Sequence, residues 1–336
     1  MGILSVDCYN KIVMNNFHKS SINKERIHQS NTLFNFSKAE KKVIINLGDP
    51  DRFTTRLLHL LIKPGLRLIN FNRLEAWFQD FASDPRAEEF VFQKLLDSLN
   101  IRIEFNTEQL DAIPSEGPLI VVAPHKLVLV DGLAIASAVM LARKDLKVMS
   151  VSYLRALPDL RPYIIEVKQG NSERAKKRNQ SAFWKAMRWL KDGHTIIVFP
   201  SGQIPARKPL WNPNSVETKW AKSLALLIKG SKANVLPVFI YGETSLAFQI
   251  VRKIHLWAER FMSPGEILKM ENQTIRLIIG NPILYDELKT KGSDRILVEY
   301  LRKKTYDLEH SIGGNIISTS GSNDINIRGN SKMKYM

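Results

Sequence analysis

The sequence predicts an α/β sandwich, with a mixed and largely parallel sheet flanked by helices. Two patterns and one exception carry that reading. Short apolar runs rich in Val and Ile recur from residue 101 to residue 280, and segments of helical character lie between them. That alternation is the signature of layered α/β structure. The ends of the chain, by contrast, are polar and lack sustained periodicity.

Taken in order, residues 1–45 are rich in Asn, Ser, Lys and His and read as a flexible leader. Residues 46–100 read as an amphipathic helical, membrane-associating region. Within it, 54–81 mix Leu, Ile, Phe and Trp with Arg56, Lys63, Arg67 and Arg73. Pro64-Gly65 divides that stretch into two short helices of the composition found at membrane interfaces. Two ordinary helices packed on the core would read the same way. A helix at 84–100 carries Pro85 in its first turn. The main α/β unit, 101–310, opens with a strand from Ile101 to Phe105. Strands at 118–124, 146–151, 163–168, 194–200, 234–241 and 274–280 follow, with helices at 132–143, 172–191 and 217–229. Residues 311–336 are polar and Gly/Ser/Asn-rich, the composition of a disordered tail.

Two strand ends carry the chemistry. The run Pro118–Ala123 delivers His125 to its end, six residues before Asp131. A carboxylate that holds one imidazole nitrogen protonated leaves the other able to take a proton from a hydroxyl. Six residues is not one face of a helix, so the pair meets only if a loop folds between them. Alone, the pair would also suit a surface histidine and a helix N-cap aspartate. The second strand end, Thr195–Phe199, runs into a Pro/Gly turn followed by Arg207 and Lys208. Gly202 permits close backbone approach, and such a turn can hold a phosphate or carboxylate.

Together these segments resemble the lysophospholipid acyltransferase family, in its 1-acylglycerol-3-phosphate acyltransferase-like members. The spacing HKLVLVDGLAI resembles the branch containing hemolysin-like and ornithine-lipid acyltransferases, and FPSGQIPAR resembles that branch's second block. The likeness continues through LPDLRPYIIEV (157–167), VLPVFIYGETS (235–245) and TIRLIIGNPI (274–283). Departures are Pro124 before the histidine, Gln203 in place of an acid, and Glu243-Thr244 in place of an Arg-Asn pair. The resemblance implies a glycerolipid-acyltransferase-like sandwich. It also implies transfer of a fatty acyl group from acyl carrier protein or coenzyme A thioester to the hydroxyl of a membrane lysolipid. The first acceptor to consider is 1-acyl-sn-glycerol-3-phosphate, and a lyso-ornithine lipid is the alternative. His125 and Asp131 become the base and its orienting partner. Arg161 and Arg207, with Arg155 weaker, become headgroup cations, and Ser201, Gly202 and Gln203 supply hydrogen bonds to the acceptor.

Composition narrows the classes. One cysteine, Cys8, excludes a disulfide framework and a cysteine-rich metal site. The formal net charge of +16 suits an anionic membrane surface or an acidic carrier protein. No repeat, zinc-finger spacing or RNA-binding aromatic signature accompanies it, so nucleic acid is not expected. No stretch reaches the eighteen or so uncharged apolar residues of a spanning helix. The opening MGILSVDCYNKIVMNN is broken by Asp7, Asn10 and Lys11, and Val6 departs from the myristoylation pattern. The expected location is therefore peripheral, on the cytoplasmic face of a membrane. A thioester is already activated, so the chemistry needs no cofactor or metal. No G-x-S-x-G elbow is present, which disfavours a serine hydrolase. A membrane-surface protein with a decayed site is the remaining alternative.

Overall fold

The computed structural model describes residues 34–37, 42–45, 73, 76–77, 79–81, 90–151, 157–168, 172–207, 215–254, 265–310, 316–319 and 325–327. Strands β1 (Phe34–Ser37) and β2 (Lys42–Ile45) form an antiparallel hairpin inside the segment read as a leader. The central sheet uses β3 (Arg102–Asn106), β4 (Leu119–Val122), β5 (Leu146–Val151), β6 (Ile164–Val167) and β7 (Thr195–Val198). It is completed by β10 (Asn234–Ile240), β11 (Thr274–Ile279), β12 (Ile316–Thr319) and β13 (Ile325–Ile327). A two-residue pair, β8 (Ala206–Arg207) and β9 (Ser215–Val216), stands apart as a small antiparallel ladder.

The nine sheet strands lie in the order β13-β12-β3-β11-β10-β4-β7-β5-β6. From β10 to β6 all neighbours are parallel. The β10–β11 pair is antiparallel, and β11 then runs parallel to β3. The sheet is thus mixed and largely parallel, as the sequence predicts. Two strands not anticipated from the polar tail, β12 and β13, extend its edge by antiparallel pairing.

Helices cover both faces. On one side lie α1 (Val91–Asp97) and α3 (Val130–Met140), and on the other α4 (Glu173–Lys191), α5 (Ser223–Ser231) and α8 (Asp294–Asp307). The remaining helices are the short α2 (Glu108–Asp111), α6 (Leu246–Ile254) and α7 (Tyr285–Leu288). Strand alternation sorts the core into two layers. In β4, Leu119 and Val121 join the α1/α3 layer, while Ile120 and Val122 join the α4/α5/α8 layer. A strand covered on both faces must be apolar throughout, which is why LIVV shows no alternation. Helix α3 is buried at every position, so its sequence of small and apolar residues has no polar face. Trp77 and Phe81, assigned from the sequence to the membrane-associating region, are packed into the α1/α3 layer instead. Most of 54–81, including Leu57 and Leu58, lies outside the described residues, as do Arg155, Lys208 and Cys8.

The amino-terminal ends of the parallel strands are tied by one side chain. Arg143, at 3% exposure, donates to the carbonyls of Pro114, Gly117 and Gly193. It also donates from two nitrogens to Asp145, at 2.8 and 2.6 Å. Those residues immediately precede β4, β5 and β7, so the guanidinium fixes where the three strands begin. Burial alone would raise the Asp145 carboxyl, but Arg143 and then His194 hold it below the ordinary carboxylate range. Replacing Arg143 with Ala leaves three partly buried carbonyls and the Asp145 carboxylate without their donor, and the expected cost is about 3–5 kcal/mol. Urea unfolding would measure it, and a loss under about 1 kcal/mol would show that water replaces the guanidinium.

Candidate active site

The opposite ends of the same strands carry the candidate chemistry. Ligands in open α/β sheets bind beyond the carboxyl ends of the strands, where loops can differ without disturbing the layers. Here β10, β4 and β7 are adjacent, with Val122 aligned to both Pro237 and Val198. His125 stands three residues beyond the end of β4. The turn containing Ser201 stands three residues beyond the end of β7.

The loop between His125 and Asp131 does fold the pair together. His125 Nδ1 lies 2.8 Å from Asp131 Oδ2. Asp131 is completely buried in the first turn of α3, and the histidine side chain keeps 20% of its surface exposed. The Leu127 amide donates to the same Oδ2, and the Gly132 amide donates to Oδ1. A carboxylate accepting all three requires Nδ1 to carry the proton, which leaves Nε2 as the basic nitrogen. The loop turns at Val128, whose φ of 61° lies in the left-handed region that a β-branched residue rarely enters. Neighbouring Leu127 packs against Gly242, at the end of β10, where any Cβ would fall 2.7 Å from a Leu127 methyl. The Phe199 ring, immediately after β7, supports the imidazole with centroids 4.7 Å apart.

The second strand end forms a turn of its own. Gly202, at φ 61°, donates its amide to the Phe199 carbonyl. The Ser201 hydroxyl donates to the Gln203 carbonyl, so the turn engages this hydroxyl internally. Gly202 and Gln203 are exposed. Beyond the turn, Arg207 lies in β8, paired with Ser215 of β9, two residues before Glu217. Arg161 is placed differently. It is exposed on a 3-10 helix, Pro158–Tyr163, which leads into the amino end of β6. In the sheet β6 is three strands from β4, and Tyr163 of this helix packs on Phe92 of α1.

Sequence reasoning missed Glu217. It is 6% exposed, and its Oε1 accepts the His125 amide at 3.4 Å. Its Oε2 accepts Trp220 Nε1 and the Tyr306 hydroxyl, both at 2.8 Å. This carboxylate joins the histidine loop to α8, a helix also missed although Ser293 and the apolar positions 297, 298 and 301 mark it. Burial, and then Glu217, push the Tyr306 phenol far above its ordinary value. Among the described residues no group of three or more potential metal ligands gathers.

A second histidine–aspartate contact, His194 to Asp145 at 3.1 Å, lies at the other end of the strands. There Asp145 is held by Arg143, and His194 stacks on Trp189 with centroids 4.1 Å apart. That carboxylate is committed to the Arg143 tie.

Two outcomes follow from the Glu217 cluster. Glu217→Ala removes the acceptor of three donors, the His125 amide, Trp220 Nε1 and the Tyr306 hydroxyl, and should lower unfolding free energy by about 2–4 kcal/mol. Tyr306 has a folded-state value raised above the unfolded one near 10, so its neutral form contributes stability fully present below that pH. That contribution is lost as pH rises through and beyond it. Urea melts from about pH 8 to 11 should therefore show an alkaline decline that Tyr306→Phe makes shallower. Parallel declines in the two proteins would remove Tyr306 as the cause.

Comparison with known proteins identifies a family. The sequence pattern of a family described as acyltransferase matches residues 67–315, more than half of the chain. No curated protein matches. Among solved structures, the crystal structure of the 1-acyl-sn-glycerophosphate (LPA) acyltransferase PlsC from Thermotoga maritima is similar. The similarity covers 75% of this chain and 91% of that one, at 18% identity and a TM-score of 0.41.

Proposed function

This chain belongs to that acyltransferase family, and from that premise we propose that it transfers a fatty acyl group from an acyl thioester to the free hydroxyl of a lysolipid. The acceptor proposed first is 1-acyl-sn-glycerol-3-phosphate. The observation that supports this reading is the buried Asp131 carboxylate holding Nδ1 of a partly exposed His125 at a strand end.

In the proposed reaction the acceptor hydroxyl gives its proton to His125 Nε2 as its oxygen adds to the thioester carbonyl. The carbon–sulfur bond of the tetrahedral intermediate then breaks, and the imidazolium returns the proton to the departing sulfur. The acyl group moves directly, with no covalent acyl-enzyme. Asp131 keeps the ring in one tautomer and balances the transient positive charge. Of the two arginines, Arg207 is proposed to hold an anionic headgroup, a reading supported by the connection of its strand through β9 and Glu217 to the His125 loop. The turn at Ser201, Gly202 and Gln203 is proposed to line the acceptor. Attachment is proposed to be peripheral, on the cytoplasmic face, with the +16 charge meeting anionic lipid. Among the described residues no helix is long and apolar enough to cross a membrane.

The six-residue separation supports one variant of this reading, a lyso-ornithine lipid as acceptor, with the same chemistry at the hydroxyl. Mass spectrometry of lipids from cells with and without the chain would separate the two acceptors.

The purified protein should release thiol from an acyl thioester only when a lysolipid is supplied. His125→Ala should lower kcat by about 10²–10⁴-fold, the usual contribution of a placed general base. Turnover near the wild-type rate in that variant would remove His125 from the mechanism. Arg207→Ala should raise the acceptor KM about tenfold, the value of one charge-assisted contact, while Arg161→Ala should change it much less.

A further inference from the structure

Helix α4 presents a basic face that the acyl-transfer reaction itself does not use. Its 19 residues pack on the sheet through Ala175, Ala182, Ala186, Met187 and Leu190. The outward side exposes seven Lys and Arg residues, and Glu173 is the only acid in the helix. In the middle stands Trp184, 60% exposed and held edge-on to Phe183 with ring centroids 5.5 Å apart. Lys177, Trp184, Arg188 and Lys191 follow the spacing of one helical stripe. The cations are crowded enough to affect one another: burial and then Lys185 lower the pKa of Lys147, whose ammonium lies 4.2 Å from the Trp189 ring centroid.

Three features select the occupant. At 1.5 Å per residue the helix is about 28 Å long, so its charges are strung out and do not converge on one phosphate group. Its apolar side is already buried in the core, which leaves too little apolar surface for insertion among lipids. Its direction matters as well. As the crossover from β6 to β7 it runs antiparallel to the strands, so only its first turns approach the edge carrying His125. A bilayer that meets that edge, on the reading proposed above, cannot also cover the half bearing Trp184 and Lys191.

We propose that this face docks an acidic protein that carries the acyl group as a thioester, so that the donor is a carrier protein in preference to coenzyme A. Trp184 is the rigid aromatic anchor, and the flanking cations provide steering and register.

The test uses the full chain with acylated acyl carrier protein as the probe. Titration calorimetry should detect binding that weakens with salt. K185E/R188E, both in the half bearing Trp184, should weaken it at least tenfold, and Trp184→Ala by about tenfold, with unchanged melting temperatures. In turnover, the charge-reversed variant should raise the KM for acyl carrier protein at least tenfold. Its KM for acyl-coenzyme A should stay within twofold of wild type. Sedimentation with phosphatidylcholine–phosphatidylglycerol vesicles should be unchanged. The proposal is overturned if the wild type does not bind the carrier, if the variant binds it equally, or if vesicle binding is what the variant loses. Failure of transfer with every donor would refute the proposed reaction, and the calorimetric result would still decide the docking surface.

Discussion

A carboxylate with no solvent exposure is stable only if surrounding groups replace the hydration it gives up, and Asp131 meets that condition through its own loop. Two backbone amides and the imidazole of His125 converge on its two oxygens. Satisfying them dictates where the chain from Pro124 to Leu129 must run. It places Leu127 and Leu129 in the core and forces Val128 into the left-handed region. It also requires a residue without a side chain at Gly242, because Leu127 occupies that space. The histidine is therefore oriented by the same contacts that make the buried charge tolerable.

The two edges of the sheet divide the work. At the amino ends, Arg143 gathers three loop carbonyls and Asp145 into a rigid tie. At the carboxyl ends, Asp131, Phe199 and Glu217 brace a histidine that still reaches solvent. Each edge has its own His–Asp contact, and the surroundings assign the roles. Beside Asp145 a guanidinium already balances the charge. Asp131 accepts from two amides and the His125 ring, with no Lys or Arg bonded to it among the described residues. This second arrangement is the one to which the proposed acyl transfer assigns the general base.

Much of the frame could be read from the sequence because β-branched runs and helical periodicity are local signals. Whereas the pairing of His125 with Asp131 rested on the family resemblance and on a loop folding between them, the strands at 118–124 and 194–200 and the helix at 172–191 were legible in that way. Contacts between distant segments were not. Glu217 appeared only as the first residue of an expected helix, whereas the chain there stays non-helical up to Lys222 and turns its carboxylate towards His125, Trp220 and Tyr306. Arg143 looked like the end of a helix, and its role depends on three loops meeting. Trp77 sat among cations in a sequence that reads as interfacial, yet its ring is buried. Composition cannot tell a membrane-facing aromatic from a core-facing one when cations snorkel along either surface. Arg161 lay in a family-like segment, and only the strand order reveals its distance from β4.

The central claim is that Asp131 fixes His125 with its proton on Nδ1 and its basic lone pair on Nε2. Nitrogen-15 NMR of the imidazole in the intact protein near neutral pH tests it most directly. The account predicts a protonated Nδ1, with a strongly downfield proton, and an unprotonated Nε2, and it predicts that Asp131→Asn abolishes that preference. An imidazole protonated on Nε2 with a bare Nδ1, or one whose tautomer ignores the Asp131 substitution, would contradict it.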